Sequence, residues 1–384
     1  MIAGGDGGAM LAGLKVVDLS TVVFGPYCTQ ILADFGAEVI KVEAPGGDFF
    51  RYGGKPARTP AMGPQHIALN RNKKSLLLDL KSKSDTEKLM KIVTEADVFL
   101  HNIRPDAIAR LGFGYDDVRA AKPDIIYVQC VGFGSNGPYA GLQAYDDVIQ
   151  AATGTVGLLP RVDGDDRQRY LPSLIADKVS GLHAAYATMA AVIHRMRTGE
   201  GQLVETPMFE AFANFMLKEH LAGLTFDPPV GAACYARQVD PHRQPFPTKD
   251  GWVSIVPYRP GHAQRIIALL GDPDFAAQER FATPEGALAN GGALYSRIGE
   301  LTATMTTETV IAIMREAQMP AMPVRDIGDL PNDPHLAEAG FFWRSEHPTE
   351  GTVLQMREPS IFSGWTQPEP RPAPTIGQHN DELG

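Results

Sequence analysis

The sequence predicts an α/β fold: a largely parallel, Rossmann-like sheet carrying helices, followed by a smaller α/β unit. Three observations carry that reading. Short β-branched runs alternate with helical segments from residue 14 to about residue 137. A Pro-, Gly- and Arg-rich stretch at 225–247 breaks the pattern. A second set of strand and helix signals then begins at Trp252. Strands alternating with helices of about 10–15 residues argue for right-handed βαβ crossovers and parallel pairing.

In chain order, K-V-V-D-L (15–19) reads as a strand, 26–35 as a helix and A-E-V-I-K-V-E (37–43) as a second strand. S-L-L-L-D-L (75–80) and D-V-F-L-H (97–101) are further strands around a helix at 84–95, and D-I-I-Y-V-Q-C (124–130) closes the series. A long helix is expected over 177–197, stopped by Gly199 and Gly201, and another over about 208–223. Beyond the linker come a strand at 252–257 and helices at 263–270, 288–305 and 308–318, then short strands at 341–346 and 353–356. The last 20 residues, with four prolines between Pro368 and Pro374, are expected to lie extended along a surface. The domain reading is a flexible tail at 1–10, a large Rossmann-like domain at 11–224, a linker and small domain at 225–330, and a segment at 331–384 returning to the large domain.

Composition excludes more than it identifies. The 384 residues carry 35 Lys and Arg against 45 Asp and Glu, a net charge of −10, with 44% hydrophobic and 21% charged residues. Such a balance fits a globular protein and lacks the basic face that nucleic-acid phosphates require. Three dispersed cysteines without a C-x-x-C argue against a disulfide framework or structural zinc and suit a reducing cytosol. No signal-peptide pattern and no run of 18 apolar residues occurs, so the expectation is a cytoplasmic protein with no membrane contact. No two histidines stand at i, i+4, and no metal is expected. Gly132, Gly134 and Gly137 match G-x-G-x-x-G, but Pro138 and Tyr139 follow at once, which makes this a strand-to-loop transition rather than a helix-opening dinucleotide site.

Two local features carry chemistry. Arg71, Lys73, Lys74, Lys81 and Lys83 face the single Asp79, a net +4 within an acidic chain. They are either lysines guarding a strand edge or a patch for a phosphorylated ligand, to which Arg104 and Arg110 could add. Asp177, where the long helix should start, is either an N-cap or an outward-aimed carboxylate nucleophile; helix-terminus electrostatics suit both.

The stretch from Gly13 to Pro45, G-L-K-V-V-D-L-S-T-V-V-F-G-P-Y-C-T-Q-I-L-A-D-F-G-A-E-V-I-K-V-E-A-P, resembles the N-terminus of family III CoA-transferases, a family that includes α-methylacyl-CoA racemases. The likeness continues in family order through G-D-F-F-R (47–51), L-N-R-N-K-K-S-L-L-L-D-L-K (69–81), A-D-V-F-L-H-N-I-R-P (96–105), G-F-G-S-N-G-P (132–138), I-A-D-K-V-S-G (175–181) and R-T-G-E-G-Q (197–202). It is looser in the C-terminal half, at P-F-P-T-K-D-G (245–251) and M-P-A-M-P-V (319–324).

The resemblance implies a Rossmann-like large domain, an interlocked homodimer, and Asp177 as nucleophile. It implies transfer of CoA from an acyl-CoA donor to a free carboxylic acid through aspartyl anhydride and aspartyl-CoA thioester intermediates. CoA and acyl-CoA enter as substrates, and no tightly bound cofactor is expected. Carried over position by position, the CoA-binding segments fall on Val23 and Phe24; Leu78, Asp79 and Lys81; Asn102, Ile103 and Arg104; Arg110; and Gln143, Tyr145 and Asp146. A dicarboxylate acceptor would want a second cation, for which Arg237 and Arg243 are candidates beside the reading that they solvate a loop. Three departures stand out. Ala44 replaces an arginine of some members, C-Y-A-R-Q-V-D-P-H-R replaces the glycine-rich loop of formyl-CoA transferases, and Tyr145 replaces the racemase histidine. A phenol is a poor near-neutral proton shuttle, so transfer is favoured over racemisation. A racemase and a non-catalytic CoA-binding protein remain the alternatives.

Overall fold

The computed structural model describes residues 8–383. The chain forms two compact units, the larger from residues up to 156, 170–218 and 335 onward, the smaller from 157–169 and 219–334. The linker thus starts earlier than residue 225, and a short excursion at 157–169 leaves the larger unit. Most of the tail expected at 1–10 lies outside the described residues.

The larger unit is built on six strands: β1 (Lys15–Asp18), β2 (Glu38–Glu43), β3 (Lys73–Leu77), β4 (Val98–His101), β5 (Ile126–Val131) and β6 (Gln202–Pro207). All pairings are parallel and the order is β3-β2-β1-β4-β5-β6, so the strand order reverses between β1 and β4. The edge strand β6 was not expected; Q-L-V-E-T-P has only two central apolar residues and ends in a proline. β3 starts two residues before the predicted run and stops before Asp79.

Side chains alternate between two cores, as strands covered on both faces require. Val16, Val39, Val98, Leu100, Ile126 and Val128 pack with helices α1 (Phe24–Asp34), α8 (Ile175–Thr198) and α9 (Met208–His220). Val17, Ile40, Val42, Leu76, Phe99 and Tyr127 face the other way. There they meet Leu89 and Val93 of α3 (Lys83–Thr94), Ile108 of α4 (Pro105–Arg110) and Val118 of α5 (Tyr115–Ala121). α2 (Pro64–Asn70) precedes β3, α6 (Asp146–Ala152) follows the glycine-rich loop after β5, and α7 (Leu158–Asp163) lies in the excursion.

The smaller unit has an antiparallel sheet, β7 (Phe246–Thr248), β8 (Gly251–Ile255) and β9 (Ala321–Pro323), around its own core of Val253, Ile266, Ile267, Leu294, Ile298 and Val310. β10 (Phe342–His347) and β11 (Gly351–Met356) form a separate hairpin in the larger unit. Of the last 20 residues, 366–375 carry no helix or strand, but 376–379 form a turn and Asn380–Leu383 a short helix, and the segment is not a surface strip. Ala373 is buried, and the Pro374 carbonyl accepts from Arg51 Nη1 at 3.1 Å, with His66 Nε2 3.0 Å away.

α1 and α8 approach each other unusually closely. A Cβ built on Gly181 would lie 2.9 Å from the Phe24 carbonyl oxygen and 3.0 Å from the Tyr27 ring, so only glycine fits without moving backbone. Gly181→Ala is expected to lower the thermal unfolding midpoint, at a cost of ~1–3 kcal/mol; an unchanged midpoint would show that the helices have room.

Candidate active site

Because every strand of the larger sheet runs the same way, the loops after β1, β3, β4 and β5 all emerge at its carboxyl end. Ligands of open α/β sheets bind there, at the point where strand order reverses. Here that point lies between the loop 19–23 after β1 and the loop 102–104 after β4. The two loops are clamped together: the Thr21 N–H donates to Asn102 Oδ1 at 3.0 Å and Asn102 Nδ2 donates to the Thr21 carbonyl at 2.8 Å. α1 starts just beyond. A Cβ on Gly25 would fall 2.2 Å from that of Ser20, so the turn into the helix admits no side chain.

Asp177 occupies the third position of α8 rather than its N-cap, which is Leu174. The capping reading therefore moves to another residue. Asp146, at the first position of α6, accepts the Ala176 N–H on Oδ2 at 3.0 Å, with the Asp177 N–H also favouring its charge. Gln150, one turn along α6, donates to Asp146 Oδ1 at 3.1 Å and to the Ser173 carbonyl at 3.2 Å, and accepts the Leu171 N–H at 2.8 Å. The approach to α8 is thus fixed by hydrogen bonds to α6.

Asp177 is freed from capping, and the residue is 7% exposed. Burial pushes its pKa up to about 7; the neighbouring Asp146 charge adds to this, and the Phe24 N–H at the start of α1 opposes it. Burial raises the Asp146 carboxyl as well. A buried carboxyl with its pKa raised in this way has the electrostatic signature of a reactive group rather than of a surface cap.

The predicted CoA-binding positions lie in the segments that follow β1, β3, β4 and β5. Val23 and Phe24 are buried at the start of α1. Ile103 is partly buried, and Arg104 and Arg110 are exposed at the two ends of α4. Gln143 and Tyr145 are exposed beside Asp146. Leu78 is buried, whereas Asp79 and Lys81 are exposed after β3, at the edge of the sheet and separated from β1 by β2. Arg237 and Arg243 belong to the smaller unit, where Arg237 Nη2 donates to the Pro257 carbonyl at 3.2 Å and Arg243 Nη1 to Gln238 Oε1 at 2.7 Å. The glycine-rich loop is a strand-to-loop transition with no helix opening inside it; the Gly134 N–H donates to Glu210 Oε1 at 3.0 Å and the Ser135 N–H to Glu205 Oε1 at 2.9 Å.

The basic segment at 71–83 departs from both readings in its first three cations. Arg71 is buried against Asp34, with Nη2 to Oδ2 at 2.5 Å. Lys73 is buried too; it donates to the Pro26 carbonyl at 2.9 Å and Asn70 Oδ1 at 3.0 Å and pairs with Asp18 at 3.3 Å, and burial pulls its pKa down to about 8. Lys74 is held by Glu38 at 2.7 Å and Glu382 at 2.6 Å. Only Lys81 and Lys83 stand in solvent, so three of the five cations are taken up by internal ion pairs.

Sequence reasoning missed the matching anions. E-V-I-K-V-E is a strand buried on both faces, yet Lys41 and Glu43 within it are charged. Two charges in such a strand demand partners, and G-D-F-F-R just beyond supplies Asp48 and Arg51.

A buried, titratable aspartate at the switch point of a parallel α/β sheet defines an enzyme-type site. The chain belongs to CoA-transferase family III, whose family model matches residues 11–380. It is 30% identical over 381 residues to the succinate–glutarate CoA-transferase of Agrobacterium fabrum, covering 97% of this chain and 94% of that protein. It is 31% identical to the succinyl-CoA:mesaconate CoA-transferase of Haloarcula hispanica, covering 96% and 94%. Among solved structures, a CAIB/BAIF family protein from Brucella suis superposes with a TM-score of 0.84 at 29% identity, over 97% of this chain and 99% of that one. Among the described residues, no helix is long and apolar enough to cross a membrane, and no group of three metal-ligating side chains occurs.

A raised carboxyl pKa has a defined consequence for stability. Between the unfolded pKa near 3.8 and the folded value of about 7, the native state holds a proton that the unfolded chain has released, so stability falls as pH rises through this window. Asp177→Asn should therefore be more stable than the wild type at pH 8, by up to ~4 kcal/mol, with the gain shrinking towards pH 5. Thermal melts of both proteins across pH 5–8 measure this, and a pH-independent difference would refute a buried, ionising Asp177.

Proposed function

We propose that this family III CoA-transferase moves CoA from an acyl-CoA donor to a free carboxylic acid, with Asp177 as the nucleophile. The observation that carries the reading is the position of Asp177, a buried carboxyl half-ionised near neutrality beside the first N–H of α1.

Asp177 Oδ attacks the donor thioester carbonyl and the C–S bond breaks, leaving an aspartyl–acyl anhydride and CoA thiolate. The thiolate attacks the Asp177 acyl carbon, expels the donor carboxylate and forms the aspartyl-CoA thioester. The acceptor carboxylate attacks that thioester and releases thiolate again. Attack of the thiolate on the acceptor acyl carbon yields the new acyl-CoA and returns Asp177 as carboxylate. Each step preserves one activated acyl bond, so the cycle consumes no ATP. The Phe24 N–H, which favours the charge on Asp177, is the group proposed to receive negative charge developing on the Asp177 carbonyl.

Val23, Phe24, Asn102, Ile103, Arg104 and Arg110 at the switch point, with Leu78, Asp79 and Lys81 on one side and Gln143, Tyr145 and Asp146 on the other, form the CoA surface. The phosphate contacts fall to the exposed Arg104, Arg110 and Lys81. Two copies of the chain form the interlocked homodimer. Leu182, Tyr186, Ile193 and Met196 support that assembly: they lie along one stripe of α8 and are 48–60% exposed in the single chain. The names of the Agrobacterium and Haloarcula relatives favour a dicarboxylic acceptor. Arg237 and Arg243, which form no ion pair among the described residues, are its candidate anchors.

Mass spectrometry after incubation with succinyl-CoA should find a hydroxylamine-sensitive adduct on Asp177. Asp177→Ala should lose transfer by at least ~10³-fold while still binding CoA. Near-normal turnover of that variant would remove the assignment. With a panel of mono- and dicarboxylic acceptors, Arg237→Ala and Arg243→Ala should raise KM for dicarboxylates selectively; indifference of KM would dismiss the anchors.

A further inference from the structure

The loop between β1 and α1 has a backbone that its sequence does not favour. Val22 has φ +70°, a left-handed conformation that a β-branched side chain resists. Two residues later stands Phe24, whose carbonyl lies against Gly181 of α8 and whose N–H favours the charge on Asp177, one turn earlier in that helix. What holds Val22 is a set of charges at the carboxyl end of β2, none of which reaches solvent. Lys41 donates to the Ser20 carbonyl at 2.8 Å and to Asp48 Oδ2 at 2.9 Å. Asp48 Oδ1 accepts the Val22 N–H at 3.0 Å and the Phe50 N–H at 2.9 Å. Its own N–H donates to Glu43 Oε1 at 3.0 Å, and Glu43 is bound twice by Arg51, at 2.7 and 2.6 Å. The Ser20 carbonyl and the Val22 N–H are thus gripped by one buried ion pair.

Burying four charged groups is a poor route to stability, since apolar residues of similar volume serve as well. What the charges add is direction. They fix one backbone conformation that the local sequence would abandon. We infer that Lys41 and Asp48 are positioning residues of the transfer reaction: they hold Val22 in its left-handed conformation so that the Phe24 N–H points at Asp177. The G-D-F-F-R block thereby acquires a role at the site without touching substrate. The inference rests on the reading of Asp177 as nucleophile.

The test is Asp48→Asn, alone and combined with Val22→Gly. Glycine adopts φ +70° freely and does not need the clamp. Asp48→Asn should lower kcat by tenfold or more with the KM for acyl-CoA within about threefold of wild type. The acid limb of its kcat/KM profile should move to higher pH, because Asp177 loses the N–H that favours its charge. Adding Val22→Gly should restore most of kcat and return the limb. Lys41→Met gives a second entry into the network should Asp48→Asn fail to fold, with the same limb shift expected. Wild-type kcat and limb in folded Asp48→Asn or Lys41→Met, or failure of Val22→Gly to restore them in a folded double variant, would overturn the inference. Adduct formation on wild-type Asp177 is measured alongside: its absence removes the nucleophile, whereas its presence with no limb shift removes only the clamp.

Discussion

The contact between Gly181 and the Phe24 carbonyl sets how closely α1 and α8 approach, and with it the surroundings of Asp177. Were the helices a methyl group further apart, water would reach the carboxyl and its pKa would relax towards that of a surface aspartate. Close packing without a side chain at the crossing keeps the carboxyl dry yet within reach of an N–H from the neighbouring helix. The same geometry removes Asp177 from the cap of its own helix, a task taken over by Asp146. One aspartate satisfies the helix end and the other is left chemically available.

The second theme is where the charge goes. A parallel sheet covered on both faces would ordinarily be apolar throughout, yet β1, β2 and β3 carry Asp18, Lys41, Glu43 and Lys73 fully buried at or near their ends. Each is paired, and each also reaches a backbone carbonyl, a backbone N–H or a neighbouring polar side chain at the carboxyl end of the sheet or the start of α1. Lys73 takes the Pro26 carbonyl, Lys41 the Ser20 carbonyl, Asp18 the Ser20 N–H at 2.9 Å and Thr29 Oγ1 at 2.5 Å. These ion pairs set loop shape, which apolar packing does poorly because it has no direction.

Much of this was legible before any coordinates. Short β-branched runs placed five of the six sheet strands, and a glycine stop marked the end of the long helix, since these signals are local. β6 was hidden because its pairing with β5 is set by the sheet rather than by its own pattern. Asp177 stood out in its block, but its status as a non-capping residue depended on Asp146, thirty residues away. The basic run at 71–83 misled for the same reason. Charge in a sequence is counted with its neighbours along the chain, whereas Arg71, Lys73 and Lys74 find their anions at Asp34, Asp18, Glu38 and Glu382.

The far edge of the sheet carries a consequence for synthesis. β3 has no strand beyond it, and its outward backbone groups are met by residues near the end of the chain. The Ser75 N–H donates to His379 Nδ1 at 3.1 Å, the Ser75 carbonyl accepts the His379 N–H at 3.0 Å, and the Leu77 N–H donates to Asn380 Oδ1 at 2.8 Å. A ribosome completes β1 to β6 some 170 residues before it delivers this seal. For that interval the nascent sheet has an open edge with its hydrogen-bonding groups unpaired, the feature by which strands recruit other chains. Removal of residues 376–383 would make the interval permanent, so this turn guards solubility as much as fold.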